Sequence, residues 1–273
     1  SFYVAWLSAL ASDQTMRLGR LAVDAFGNGV LSFTDPEERV LPSAFNAVLI
    51  TREVRLGDSP TGDVVYSGYV PPELSDGLSE ILVSSDVGRP GESLLADALA
   101  EADIATNHAG MAAGSDTLGG MQTHTEHVLN ILQGAADDLN GDGRPENPGL
   151  GLGLPLLLDG IDQSLHRVAD VSDDWPNLQS NLELVNVCLA NARQRMADIV
   201  MTGHQVLAAT SLEEAAPQAQ ALVRLAAELV NGIDLNGNGQ VEAFEGECGL
   251  QQVGTYGAAV GGMVIVQGPP PAS

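Results

Sequence analysis

Asp234-Leu-Asn-Gly-Asn-Gly-Gln-Val-Glu-Ala-Phe-Glu245 puts an oxygen-bearing side chain at alternate positions of a short, turn-rich run. A calcium ion takes six to eight oxygens, and a twelve-residue loop supplies them from positions 1, 3, 5, 7, 9 and 12. Asp234, Asn236 and Asn238 occupy the first three of these. Gln240 offers its backbone carbonyl at position seven, Glu242 stands at nine and Glu245 at twelve. Gly239 falls at position six, where the chain turns sharply and a Cβ is costly. Val241 is the inward apolar residue. The competing reading is a solvated Asn/Gly turn, because the same residue types favour turns; the terminal Glu in register favours the ion.

The loop has a sister 96 residues earlier. Asp138-Leu-Asn-Gly-Asp-Gly143 matches Asp234 to Gly239 with one conservative change. Asp138, Asn140 and Asp142 are its side-chain ligands, Arg144 stands where Gln240 offers a carbonyl, and Glu146 corresponds to Glu242. Gly149 replaces Glu245, so the bidentate carboxylate is lost, and Pro145 replaces the apolar position. That loss weakens the loop or demands a ligand from elsewhere. The same offset continues upstream: His108 aligns with His204, Ala112-Ala113 with Ala208-Ala209, Ser115 with Ser211, Gln122 with Gln218 and Leu129 with Leu225. A helical hairpin followed by an EF-hand-like calcium loop therefore occurs twice. A looser third copy of the hairpin is expected around His166 and Asn181.

The 273 residues include 36 acidic and 11 basic ones, a formal charge of −25, and every basic residue is Arg. Such a charge argues against nucleic acid and against an anionic membrane surface. Without Lys there is no Schiff-base chemistry. An apolar content of 44% marks a globular chain. The sequence opens without Met on an apolar run, as expected after leader removal or trimming. No run is long enough for a membrane span. Calcium loops on an acidic chain suit a secreted or cell-surface protein bathed in millimolar calcium. Cys188 and Cys248 are the only cysteines. They either pair, which closes a loop of about sixty residues in an oxidising compartment, or remain buried thiols.

The expected fold class is α+β and multidomain: a small N-terminal β-sandwich, then a helical bundle with two calcium loops. Residues 1–72 form the sandwich, with strands at Phe2–Leu7, Arg17–Val23, Gly29–Phe33, Ala47–Arg52 and Asp63–Tyr69. Gly27-Asn-Gly29 is a hairpin signal. Residues 73–91 are a polar connector, 92–266 the bundle with loops at 138–149 and 234–245, and 267–273 a Pro-rich tail. Helical periodicity predicts helices over Leu118–Ala136, Leu152–Val171, Trp175–Ala209 and Leu212–Gly232. Ser211 with Glu214 forms a capping box. Arg193 and Arg195 read as solvated ion-pair partners. Tyr256–Val266 is either a last helix or a strand added to a sheet.

Tyr3-Val-Ala-Trp-Leu7, Leu18-Gly19 with Val23-Asp-Ala-Phe-Gly27, Ile50-Thr-Arg-Glu53 and Ser59-Pro-Thr-Gly-Asp-Val-Val-Tyr-Ser-Gly68 occur in that order. Together they resemble the extracytoplasmic C-terminal domain of anti-sigma-K factors. The resemblance covers about the first quarter of the chain and implies a fold and an extracytoplasmic compartment. It does not imply sigma regulation, whose cytoplasmic segment and membrane helix have no counterpart here. The helical half resembles repeat modules of secreted bacterial proteins in which His108-Ala109, His124-Thr-Glu-His127-Val128 and a calcium-type loop recur. The second copy departs from this, with Gln220 and Val223 where His124 and His127 stand in the first.

His124 and His127 lie at i, i+3 on one helix and His108 on its partner. Three converging imidazoles suit a second metal or an axial haem ligand; the plainer reading is hydrogen bonding between repeats. The Glu spacing differs from that of a zinc protease helix, and neither a nucleophile elbow nor a phosphate loop is present. The expectation is a non-enzymatic, calcium-stabilised structural or interaction protein. Its partner is itself or another cell-surface protein, and strand addition builds a fibre or layer. The alternative is a metal- or haem-binding bundle using the three histidines.

Overall fold

The computed structural model describes residues 1–12, 14–37, 41–170 and 176–270. The chain divides into two units, Ser1–Ser79 with Gly261–Ser273, and Glu80–Val260. The α+β expectation holds: an antiparallel sheet comes first and helices follow.

The sheet contains β1 (Phe2–Ala9), β2 (Gln14–Leu21), β3 (Ala47–Glu53), β4 (Asp63–Tyr69) and β5 (Val266–Gln267), in the order β2-β1-β3-β4-β5. A short helix, α1 (Leu41–Ala44), precedes β3. In β3, Ala47, Leu49, Thr51 and Glu53 are buried at alternate positions, the period of two that a one-faced strand requires. Val4, Trp6 and Leu49 form the apolar core, flanked by Phe2 and Val64. The two polar members of the buried face are satisfied in series. Trp6 Nε1 donates to Thr51 Oγ1 at 2.8 Å, and Thr51 Oγ1 donates to Glu53 Oε1 at 2.7 Å. Glu53 also accepts from Thr61 N, Thr61 Oγ1 and Gly62 N. Burial opposes its charge, but these hydrogen bonds outweigh burial and lower its pKa from 4.5 to about 2.

The expected sandwich differs from what is found: the described strands form one sheet. Gly29–Phe33 contributes only the bridge Val23↔Gly29. The Asp24 carboxylate accepts from Phe26 N and Asn28 N, and Asp24 N donates to Asn28 O, so a tight loop ends the segment before a strand can form. Val30 stays 85% exposed and gives no second layer a core. The tail is both things the sequence left open. Its first part is helical, and its second is β5, which pairs Val266 with Ser67 and Gln267 with Tyr66.

The expected connector over 73–91 contains a helix, α2 (Pro72–Leu82), with Leu74, Leu78 and Ile81 buried along one stripe. Then come α3 (Leu94–Ala113), α4 (Leu118–Gln133), α5 (Leu154–Ala169), α6 (Pro176–Ala208), α7 (Leu212–Asn231) and α8 (Leu250–Val260). The duplication is structural: α3, α4, the first acidic loop and α5 are repeated as α6, α7, the second loop and α8. Leu154 and Leu250 open the third helix of each copy at the same 96-residue offset, and both are fully buried. His166 and Asn181 lie on α5 and α6, which belong to these two copies and not to a third. Trp175, expected to start α6, lies outside the described residues.

Ala98, Ala102, Ala105, Ala109 and Ala112 line α3 with no exposure, and small side chains let the partner helices α4 and α7 come close. Ser93, Thr117 and Ser211 cap α3, α4 and α7 through their hydroxyls. The Ser211 box is shifted by one residue, since Glu214 returns to Thr210 N and not to the N–H of the cap itself. No helix among the described residues is long and apolar enough to cross a membrane.

Candidate metal-binding loops and histidine cluster

The two acidic loops share one hydrogen-bond ladder. In the first, Asp138 accepts from Gly141 N and Gly143 N, Asn140 Oδ1 from Asp142 N, and Asp142 Oδ1 from Arg144 N. In the second, Asp234 accepts from Gly237 N, Asn238 N and Gly239 N, Asn236 Oδ1 from Asn238 N, and Asn238 Oδ1 from Gln240 N. Gly141, Gly143, Gly237 and Gly239 have φ between 74° and 86°, so each curl needs glycine at the same two places. The ladder ties the side chains at positions one, three and five to the backbone of the same curl.

The loops differ at position nine. Glu242 closes the second one: its Oε2 lies 3.4 Å from Asn236 Nδ2 and 2.5 Å from Asn238 Nδ2. Both amide nitrogens donate to Glu242, so the carboxylate is drawn onto the same curl as Asp234, and these residue types carry the oxygens that a hard cation takes. Glu146, its counterpart, points instead at His127 Nε2, at 3.2 Å. Position twelve departs from the expectation in the second copy. Glu245 is exposed on a turn, because the helix that would carry it inward does not begin until Leu250. Gly149 has no side chain to offer.

Residues not singled out in the sequence hold the loops to the helices. Glu126, fully buried on α4, accepts from Leu139 N and Asn140 N through Oε2, while its Oε1 is buried without a hydrogen-bond partner. Asn130 brackets the first loop by donating to Asp137 O and Glu146 O and accepting from Asp137 N. Glu101 accepts from Leu150, Leu152 and Gly153 N at the start of α5, where the helix dipole favours a carboxylate. Around the second loop, Asn191 binds Phe244 O and Gly246 N. Glu247 accepts from Glu242 N. Arg195 corrects the solvated ion-pair reading. It is buried and donates to the carbonyls of Gly246, Glu247 and Cys248, at the cost of a pKa lowered by desolvation. Of the two, Arg193 forms the surface ion pairs, with Asp159 and Asp162, while the ion pair of Arg195, with Glu228 at 4.0 Å, is largely buried. Cys188 and Cys248 are joined as a disulfide with Cα atoms 5.2 Å apart, tying α6 to the end of the second loop.

The three histidines converge. His108 Nδ1 lies 3.3 Å from His124 Nδ1 and 3.3 Å from His127 Nδ1, and a ligand nitrogen from each lies within 4.8 Å of the others. His127 is buried and the other two are half-buried. Desolvation, then repulsion from neighbouring imidazoles, lowers the pKa of His108 and of His124. Both effects favour the uncharged ring, which keeps a lone pair. In the second copy, His204 is exposed. Comparison of the chain with family models, with curated proteins and with solved structures gave no match.

Proposed function

We propose that this chain is a secreted or cell-surface structural protein whose duplicated helical unit is rigidified by calcium. The observation that carries the reading is the shared ladder of side-chain-to-backbone hydrogen bonds in two loops 96 residues apart, each leading into a third helix. The second loop, with Asp234, Asn236, Asn238 and Glu242 on one curl, is the stronger EF-hand-like candidate. Calcium joins the segment between α7 and α8 and offsets part of a charge of −25. The Cys188–Cys248 pairing supports an oxidising compartment. The resemblance of the first quarter to extracytoplasmic domains points the same way.

The reading is non-enzymatic, with self-association or another surface protein as partner. β5 is two residues long, and Val264 and Ile265 just before it are exposed together with its Val266. A strand held by so few pairings exchanges readily with the same strand of a second copy, which turns a closed sheet into a link of a fibre or layer. Negative-stain microscopy of the oxidised protein, with calcium and after chelation, tests the assembly. Ordered oligomers with calcium are expected; monodisperse monomers under both conditions refute it. Calcium binding by monomers alone would leave the stabilising role and remove the assembly.

A further inference from the structure

We propose that His108, His124 and His127 form a centre for a divalent transition metal of the zinc type, and that Glu146 belongs to this centre and not to the calcium loop. Nitrogens bound at 2.0–2.1 Å to a tetrahedral zinc stand about 3.3–3.4 Å apart. Two of the three Nδ1 pairs already stand at 3.3 Å. One neutral ring can donate Nδ1–H to another, but His108 has a single Nδ1 facing two partners, so it cannot donate to one while accepting from the other. One metal ion would use all three lone pairs.

Glu146 is the second, independent observation. A metal-bound imidazole presents one nitrogen to the ion and donates the other N–H to a carboxylate, which fixes the ring and raises its basicity. His127 has this arrangement: Nδ1 faces the cluster, and Nε2 faces Glu146 Oε2 at 3.2 Å. Asn130 holds the Glu146 backbone through its carbonyl, so the carboxylate starts from a fixed point on α4. The first loop thus keeps the hydrogen-bond ladder of its sister, while its position-nine carboxylate serves the histidines. The second copy, with Gln220 and Val223 in place of the pair, turns Glu242 inward.

Haem fits this geometry poorly. Two imidazoles on opposite faces of one iron place their nitrogens about 4 Å apart with a porphyrin between them, on the same bond lengths. At 3.3 Å the Nδ1 atoms lie on adjacent corners of one coordination sphere. Half-buried His108 and His124 leave the fourth corner accessible to water or a small anion.

The proposal is independent of the calcium reading, and the test separates them. Chelator-treated, oxidised full-length protein is titrated with zinc chloride in excess calcium, and with cobalt(II) as a spectroscopic probe. The expected result is one zinc per chain and a tetrahedral cobalt spectrum. His124→Gln, conservative and half-exposed, should weaken zinc binding at least about 100-fold, and Glu146→Gln about 10–100-fold. Asp234→Ala should leave zinc binding unchanged while affecting calcium. The proposal is overturned if no zinc binds, if His124→Gln binds zinc like the parent, or if cobalt gives only an octahedral spectrum. A His-dependent haem absorption band without zinc binding would overturn it as well.

Discussion

Replacing both Cys188 and Cys248 by Ala should lower the melting temperature of the helical unit by about 10 °C. The bridge spans a sequence separation of 60. In the chain-entropy model, releasing a loop of that length lets the unfolded chain regain about 4 kcal/mol of conformational freedom. A unit of 150–250 residues shifts by about 2–4 °C per kcal/mol, which gives the figure above. The loss should concentrate on the second loop. Cys248 is held from α6 by its sulfur and also by its carbonyl, which accepts from Asn191 and Arg195. Native-state hydrogen exchange should therefore show faster opening over 232–249 than over 134–153, alongside the calorimetric shift. The double substitution is preferable to a single one because it leaves no free thiol to mispair. A variant that melts within about 2 °C of the parent, with equal protection in both loops, would refute the reasoning.

Three further outcomes follow from particular residues. The folded pKa of Glu53, about 2, lies below its unfolded value, so its contribution to stability is complete above about pH 4.5 and is lost as pH falls toward 2. Glu53→Gln should flatten that part of the pH–stability curve in denaturant titrations followed by Trp6 fluorescence; an unchanged acid limb contradicts the hydrogen-bond account. Arg195→Met removes a donor from three carbonyls, of which Glu247 and Cys248 keep an N–H from Ile233 and Asn191, and takes the cation from Glu228. It should cost about 3 kcal/mol in urea unfolding. Arg193→Met removes surface pairs only, worth about 1 kcal/mol or less; equal losses from the two would remove the distinction between clamp and surface pair.

The duplicated unit was legible because backbone chemistry repeats with it. Glycine at two fixed places with Asx side chains between them recurs at one offset. The expected unit leaves out the third helix of each copy, although Leu154 and Leu250 open it at the same offset. The α2 stripe was also written in Leu74, Leu78 and Ile81, but intervening Ser, Asp and Gly residues obscured it. β5 was not legible as a partner of β4, because Val266 meets Ser67 across about three quarters of the chain and no local pattern encodes that pairing. The histidine cluster was visible as a spacing. Its link to Glu146 was not, because the carboxylate sits in a calcium-type register and only the fold turns it toward His127. Asn130 and Asn191 left a usable signal: an amide inside an apolar helical run has to find backbone partners. Arg195 gave a misleading one, since the sequence does not reveal that a helix face will be covered by carbonyls.

Calcium titration of chelator-stripped, oxidised protein, by calorimetry and by thermal melting, tests the central claim most directly. A loop binding at about 10⁻⁴ M stabilises the fold by about 2.7 kcal/mol in 10 mM calcium, which is about 5–10 °C for a unit of this size. The expected result is a binding isotherm abolished by Asp234→Ala, together with a melting temperature that rises with calcium. An absence of binding heat, with melting unchanged by the ion, would contradict the account.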